Sequence, residues 1–266
     1  MAQLAWIVGA SSGVGAATAK ELARRGYQIV LTARRRDRLE SLAQEINAAG
    51  CYACDASLAE AMQELAQTVR RRHGIPDAII NCAGQGQWKR IEETSLTEAQ
   101  AMMASPYLAA FNASQIFMRD MLQRGSGVLI HVNSPACFMP WPSSVGYTAS
   151  RFALRGLHEA LCQDLAGTGV HSCHVVFGRI DSEYFEHNPG VLERMPGISA
   201  LIPTLSVDDC AQTIAKLIAN PRRQTIYPMM LRLFYGGYRV LPGLTSWLLR
   251  ISSPKTNTRL ADAGEK

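Results

Sequence analysis

Between residues 4 and 227, short apolar runs alternate with longer segments of helical period, and few folds accommodate that rhythm. Leu4 to Val8 is the first apolar run. Gly9-Ala10-Ser11-Ser12-Gly13-Val14-Gly15 follows it, and Ala16 to Arg25 then reads as helix. Further strands are expected over Gln28 to Thr32, 51 to 55, Asp77 to Asn81, Gly127 to Val132, Val170 to Val176 and Gln224 to Tyr227. Helices fall between them at about 35–49, 57–73 and 98–122, the last interrupted by Pro106. Two more follow, one carrying Tyr147 and running to about Leu165, and Val207 to Ala219, capped by Ser206. Such alternation predicts an α/β fold, a single doubly wound parallel sheet with helices on both faces. At 266 residues the chain is long enough for one such domain.

The first strand, glycine turn and helix carry the first functional signal. Glycines remove the Cβ atoms that would keep a pyrophosphate away from the backbone N–H groups of a helix start. Gly9, Ser11, Ser12, Gly13, Val14 and Gly15 are therefore candidate dinucleotide contacts. The second strand ends in Ala33-Arg34-Arg35-Arg36 rather than in an acid. A carboxylate there would bind a ribose 2′-OH and repel a 2′-phosphate, whereas Arg34 or Arg35 accommodates the phosphate, so NADP(H) is expected over NAD(H). Asp55 at the third strand end and Asn81-Cys82-Ala83-Gly84 at the fourth lie on the carboxyl edge, where ligands of open sheets bind.

A second signal is Tyr147-Thr148-Ala149-Ser150-Arg151. Residues four apart share a helix face, so the guanidinium can sit beside the phenol, and a nearby cation favours phenolate. The same spacing also suits an ordinary surface contact. Ser134 lies just past the fifth strand, and a loop rich in proline and aromatics (137–143) leads into the tyrosine helix. Residues 183–206 mix Tyr184, Phe185, Leu192, Met195, Ile198, Leu201 and Ile202 with prolines and glycines, which reads as a lid.

Composition narrows the remaining classes. The chain is 47% hydrophobic and 18% charged, with no charge-free run of ~18 apolar residues to span a bilayer. The start of the sequence shows no basic region, long apolar run and small-residue cleavage site of a secretory signal, so the cytoplasm is the expected compartment, with peripheral contact at a membrane surface beside it. Seven cysteines, an odd number, suit a reducing compartment. Cys51-Tyr52-Ala53-Cys54 has no second pair and would point to opposite faces of a strand, so two buried thiols are expected and no metal is assigned. The net charge of +5 comes largely from arginine clusters at 34–38 and 70–72. Without interleaved aromatics they read as solvated helix faces and not as a nucleic-acid surface.

Together these residues resemble the short-chain dehydrogenase/reductase family over about residues 4–228. The resemblance rests on Gly9, Gly13 and Gly15, on Asp55, and on Asn81-Cys82-Ala83-Gly84 for the family's Asn-Asn-Ala-Gly. It also rests on Ser134 placed 13 residues before Tyr147, and on Gly178 with Ser182 after the sixth strand. It implies a Rossmann sheet of about seven parallel strands, with NADP(H) held by the glycine turn, Arg34, Arg35, Asp55, Asn81, Ala83, Gly84, Tyr147, Arg151, Gly178, Ile180 and Ser182. It further implies hydride transfer between a carbonyl and an alcohol on a small molecule, with Tyr147 exchanging the proton, Ser134 steadying the substrate oxygen and Arg151 as the accompanying cation. A homodimer or homotetramer is implied as well. The sequence departs from the family pattern elsewhere: Arg151 stands where the family has lysine, Pro106 where it has an asparagine in the preceding helix, and Phe177 where it has a proline before Gly178. An NADP-binding member with lost or changed redox chemistry, whether sensor, scaffold, isomerase or dehydratase, therefore stands beside the reductase reading.

The stretch Met229 to Ile251 lies beyond the resemblance and forms an amphipathic extension within residues 229–266. Leu231, Phe234, Tyr235, Tyr238, Trp247, Leu248 and Leu249 share it with Arg232, Arg239 and Arg250. The mixture suits a lid, a subunit contact, a greasy substrate mouth or the surface of an anionic membrane. Gly236-Gly237 and Pro242-Gly243 are expected to break it into short pieces.

Overall fold

A computed structural model describes residues 2–186, 188 and 190–254. Seven strands form one parallel sheet in the order β3-β2-β1-β4-β5-β6-β7. They are β1 Leu4–Val8, β2 Gln28–Ala33, β3 Gly50–Ala53, β4 Ala78–Asn81, β5 Gly127–Asn133, β6 Val170–Phe177 and β7 Gln224–Tyr227. The helices are α1 Gly13–Arg24, α2 Arg36–Glu45, α3 Ala59–His73, α4 Leu96–Met103, α5 Ala109–Arg124, α6 Val145–Asp164, α7 Val191–Arg194, α8 Val207–Ala219, α9 Met229–Val240 and α10 Pro242–Ser252.

Every residue of β1 is buried, as a central parallel strand covered on both faces requires. Alternate residues serve opposite cores. Ala5, Ile7, Ile29, Leu31, Ile80 and Ile130 pack with Leu22 of α1, Leu39 of α2 and Ile214 of α8. Trp6, Val30, Ile79 and Leu129 pack with Met62 and Val69 of α3 and Phe117 and Met121 of α5. The Trp6 indole meets the Phe117 ring edge-on at 5.4 Å and donates to Thr32 Oγ1 at 2.8 Å, so its buried N–H is satisfied.

Several boundaries differ from the sequence reading. The third strand ends at Ala53, two residues short of Asp55. Cys51 and Cys54 do pack on opposite sides of the sheet, but both are half-buried instead of buried. Gly236-Gly237 does not break the C-terminal stretch: α9 runs through it, and only Pro242 starts a new helix. The kink between α4 and α5 falls where expected. Ser105 is extended (φ −136°, ψ 112°), because the ring of Pro106 disfavours helical backbone in the residue before it. The segment Ala104–Leu108 is a widened turn bridging the two helices.

Candidate active site

The chain reverses direction across the sheet at β1, whose neighbours are β2 and β4, and open α/β sheets bind ligands beyond the carboxyl ends at such a point. A cavity of about 650 Å³ lies there. Its floor is the glycine turn. The amides of Gly9 and Ala10 both donate to the Thr32 carbonyl, at 2.8 and 3.2 Å, which pins the turn to β2. Gly9 has φ +87°, and a Cβ on it would lie 2.4 Å from the Ala83 nitrogen, so the turn and the end of β4 meet only because position 9 is glycine. Ser11, Ser12, Gly13, Val14 and Gly15 line the cavity, bringing the unpaired amides of the α1 start to it.

Arg34 and Arg35 line the same cavity and are both exposed. Arg34 donates to Gln85 Oε1 at 3.1 Å, and Gln85 Nε2 donates to the Ala101 carbonyl at 3.0 Å. The Ala101 carbonyl also accepts from the Ala104 amide at the end of α4, so Gln85 is its second donor, next to the turn where Pro106 has no N–H for the Met102 carbonyl. Arg35 reaches Ser11 Oγ at 3.2 Å and Ser12 Oγ. Glu183, on the segment after β6, ion-pairs with Arg38 and lies 3.9 Å from Arg35. Asp55 lines the wall and accepts from the Ser57 amide and hydroxyl at 3.0 and 2.7 Å. Ala83, Gly84, Gly178, Ile180 and Ser182 complete this part.

Asn81 is the exception among the residues expected at the cofactor. It does not line the cavity; it is buried beneath, its Nδ2 3.3 Å from His131 Nδ1 and 3.5 Å from Ser114 Oγ. Its position on the last residue of β4 turns it toward α5 and β5 instead of the crevice.

At the other end stand Ser134, Tyr147 and Arg151, all on the cavity lining. Ser134 directly follows β5 and caps a single 3₁₀ turn, Pro135–Cys137, its Oγ accepting from the Ala136 amide at 3.4 Å. Ser144 fixes the start of α6 by donating to the Trp141 carbonyl at 2.6 Å, and Tyr147 follows in the first turn, 6% exposed. Its ring packs on backbone: a Cβ at Gly86 would lie 2.3 Å from Tyr147 Cδ2. Arg151 is 7% exposed, and its guanidinium carbon stands 4.7 Å above the centre of the Tyr147 ring. The cation thus lies over the ring face. Arg151 Nε has no hydrogen-bond partner among the described residues, while Asn133 Nδ2 holds the Arg151 carbonyl at 3.1 Å. A buried guanidinium with an unsatisfied N–H fits a site made for an oxygen-rich ligand.

The wall around Tyr147 is apolar. Trp88, Met102, Ala136 and Val191 are buried there with Trp141, Tyr184, Phe185 and Met195 packed against them. Trp88 stands edge-on to Trp141 at 5.4 Å and 6.0 Å from the Tyr147 ring. Tyr184 donates to the Gly86 carbonyl at 3.0 Å, and burial pushes its phenol well above the ordinary range, with the Tyr147 charge adding to the effect. Among the described residues no cluster of three or more His, Cys, Asp or Glu is placed to hold a metal.

Sequence reasoning did not assign Gln85, Gly86, Trp88, Ser105 or Trp141 to the site. The signal for Ser105 was present, since a residue before proline leaves the helix and presents its side chain differently. Gln85, Gly86 and Trp88 follow β4 without regular structure, and no periodicity points at them.

Over residues 3–189 the chain matches the short chain dehydrogenase family. A probable oxidoreductase, EphD, of Mycobacterium tuberculosis is 29% identical over 252 residues, covering 89% of this chain and 43% of that protein. The chain thus spans less than half of that relative's length. An alcohol dehydrogenase from the archaeon Thermococcus sibiricus, solved with 5-hydroxy-NADP, aligns with TM-score 0.73 at 28% identity, over 85% of this chain and 96% of that one. A metagenomic short-chain oxidoreductase in complex with NADP gives TM-score 0.70 at 27% identity, over 84% and 96%. The family match takes in the glycine turn, the kinked helix, Ser134, Tyr147 and Arg151, and the solved structures share the sheet that carries them. The chain belongs to the short-chain dehydrogenase family.

Proposed function

We propose that this protein is an NADP(H)-dependent oxidoreductase that interconverts a carbonyl and an alcohol on a small lipophilic molecule. The observation that carries the reading is one cavity lined at one end by the glycine turn with Arg34 and Arg35, and at the other by Ser134, Tyr147 and Arg151. The NADP-bound relatives support the cofactor. The donor set fits it: the start of α1 for a pyrophosphate, two arginines for a 2′-phosphate, and the unpartnered Arg151 Nε for ribose oxygens. When bound, the cofactor supplies or accepts the hydride.

The chain's own residues manage the proton and the fit. In the reducing direction the Tyr147 hydroxyl gives its proton to the carbonyl oxygen, and the Ser134 hydroxyl donates a hydrogen bond to that oxygen. Arg151 keeps a fixed positive charge against the ring and exchanges no proton itself. Trp88, Trp141, Phe185 and Met195 exclude water and favour an apolar substrate body.

The test is NADPH consumption across a panel of carbonyl compounds. Tyr147→Phe is expected to lose about 10²-fold or more in rate, as general-acid removal usually does. NADPH is expected to bind at least about tenfold more tightly than NADH, about 1.4 kcal/mol, with Arg34→Asp narrowing the gap. Parent activity that survives Tyr147→Phe unchanged sinks the mechanism.

One observation favours a second reading, a cofactor-binding protein without redox turnover: the Arg151 cation sits over the ring face. Tight NADPH binding with no turnover on any carbonyl would select it. Either way a homodimer or homotetramer is the proposed assembly. Phe111, Met118, Leu122, Leu157 and Leu161 line an apolar groove between α5 and α6, and sedimentation velocity reads the mass directly.

A further inference from the structure

Helix α9 is apolar on two sides. Leu231, Phe234, Tyr235 and Tyr238 turn inward, to a cluster with Phe138, Met139, Val176 and Ile202, and Tyr235 stacks on Phe138 at 4.1 Å. On the opposite side Met229, Leu233 and Val240 fall within ~40° of one another at ~100° per residue. They are 73%, 61% and 77% exposed. Arg232 and Arg239 flank that stripe and are exposed as well. Helix α10 repeats the arrangement, with Thr245 and Leu249 buried, Leu244, Trp247 and Ile251 in one outward stripe, and Arg250 at its edge. A helix apolar on both its inner and outer sides has a second apolar partner.

Charge identifies that partner. From 229 to 254 the charged residues are Arg232, Arg239 and Arg250, with no carboxylate among them. A second copy docking through the same face would set arginines against arginines, since a two-fold contact is self-complementary. An anionic bilayer accepts both features at once: its acyl boundary takes the apolar stripes and its headgroups take the guanidinium groups. The helices have 12 and 11 residues, and no helix among the described residues is long and apolar enough to cross a membrane, so contact is along the surface.

We propose that α9 and α10 dock on an anionic lipid bilayer with Met229, Leu233, Val240, Leu244, Trp247 and Ile251 as the inserted residues. Docking there sets the substrate end of the cavity beside the bilayer, because Trp141 and Ile202 belong both to the cavity wall and to the cluster that holds Leu231 and Leu249. That arrangement suits the lipophilic substrate of the proposed reaction, on which this last step rests. Membrane binding itself is independent of any redox chemistry.

The experiment is flotation of the full chain with vesicles of phosphatidylcholine alone or mixed with phosphatidylglycerol. The parent floats with the anionic vesicles and is released by salt. Leu233→Ser with Trp247→Ser lowers the bound fraction at least about tenfold, and Arg232→Gln or Arg239→Gln each weakens binding about fivefold. All four positions are exposed, so the fold is kept; an unchanged thermal midpoint and unchanged NADPH affinity verify this. A parent that stays unbound at low salt, or the double variant floating like the parent, overturns the proposal. So does a change in sedimenting mass in the double variant without any parent flotation, which assigns the face to a second copy. Failure of NADPH turnover with flotation intact would count against the reductase alone.

Discussion

His131, His158 and His174 are fully buried under α6, on neighbouring strands and the helix above them. The His158 and His174 rings stack at 5.1 Å. Burial lowers His131 to about 3, helped by His158. It also lowers His158 to about 4, with Glu159 opposing and Arg223 and Arg155 assisting. Burial takes His174 well below the ordinary range too. In the unfolded chain each titrates near ~6.5. The unfolded state therefore takes up protons first, and native stability is whole above pH ~6.5 and declines as pH falls from there toward the folded values. The expected slope approaches about 1.4 kcal/mol per pH unit for each histidine. Urea unfolding at pH 7 and pH 5 measures it, and His131→Gln should make the loss shallower by up to one proton. Equal parent stability at both values would contradict the neutral cluster. None of this follows from the sequence, where three histidines on two apolar strands and a helix give no sign of meeting. That Tyr147 and Arg151 meet was legible because residues four apart share a helix face, and Ser134 was singled out by the resemblance to the family, whereas Tyr184 reaches the site only by folding back from the segment after β6.

That segment, 183–206, was read as a lid from its apolar residues, and its end at Glu183 adds a link that no periodicity carries. The Glu183 carboxylate ion-pairs with Arg38 and lies 3.9 Å from Arg35, at the end of the cavity where a 2′-phosphate is proposed to bind. An incoming phosphate must replace that carboxylate or share its arginines. Both sides of the pair are about two-fifths exposed, at 40% and 43%, so the contact is worth only ~0.2–1 kcal/mol. Glu183→Gln should therefore tighten NADPH by no more than about fivefold and leave NADH nearly unchanged, as read by fluorescence titration. Weaker NADPH binding would mean that Glu183 holds the cofactor and does not compete with it. The α4–α5 kink makes the complementary case. Pro106 announced it in the sequence, but that the Ala101 carbonyl beside it would be reached by Gln85, and Gln85 by Arg34, depends on where an irregular loop passes.

At the scale of the whole molecule, the parallel sheet follows from the alternation of apolar runs, because parallel strands need crossover helices and the glycine turn marks the first of them, whereas the order in which the strands pair is fixed only in the fold. The C-terminal pair lies beyond that rhythm, and its attachment could not be read from periodicity: α9 and α10 close over a surface made by the 3₁₀ turn after Ser134 and the segment 197–202. Leu231 and Leu249 are buried against Phe138, Met139 and Ile202, and a Cβ at Gly197 would lie 3.3 Å from the Ser252 carbonyl. Removing the pair would uncover residues next to Ser134 and expose one side of Trp141, which also walls the cavity. Leu231→Ala is expected to cost about 2–5 kcal/mol, in line with other large-to-small changes in closed cores. A chain ending at Tyr227 should lose more stability than that and should lose turnover with it, even with detergent-solubilised substrate and no membrane present. Chemical denaturation of the two proteins beside the parent measures the first effect, and NADPH consumption in detergent the second. A truncated protein as stable and as active as the parent would mean that the helical pair is an appendage, not a wall of the site.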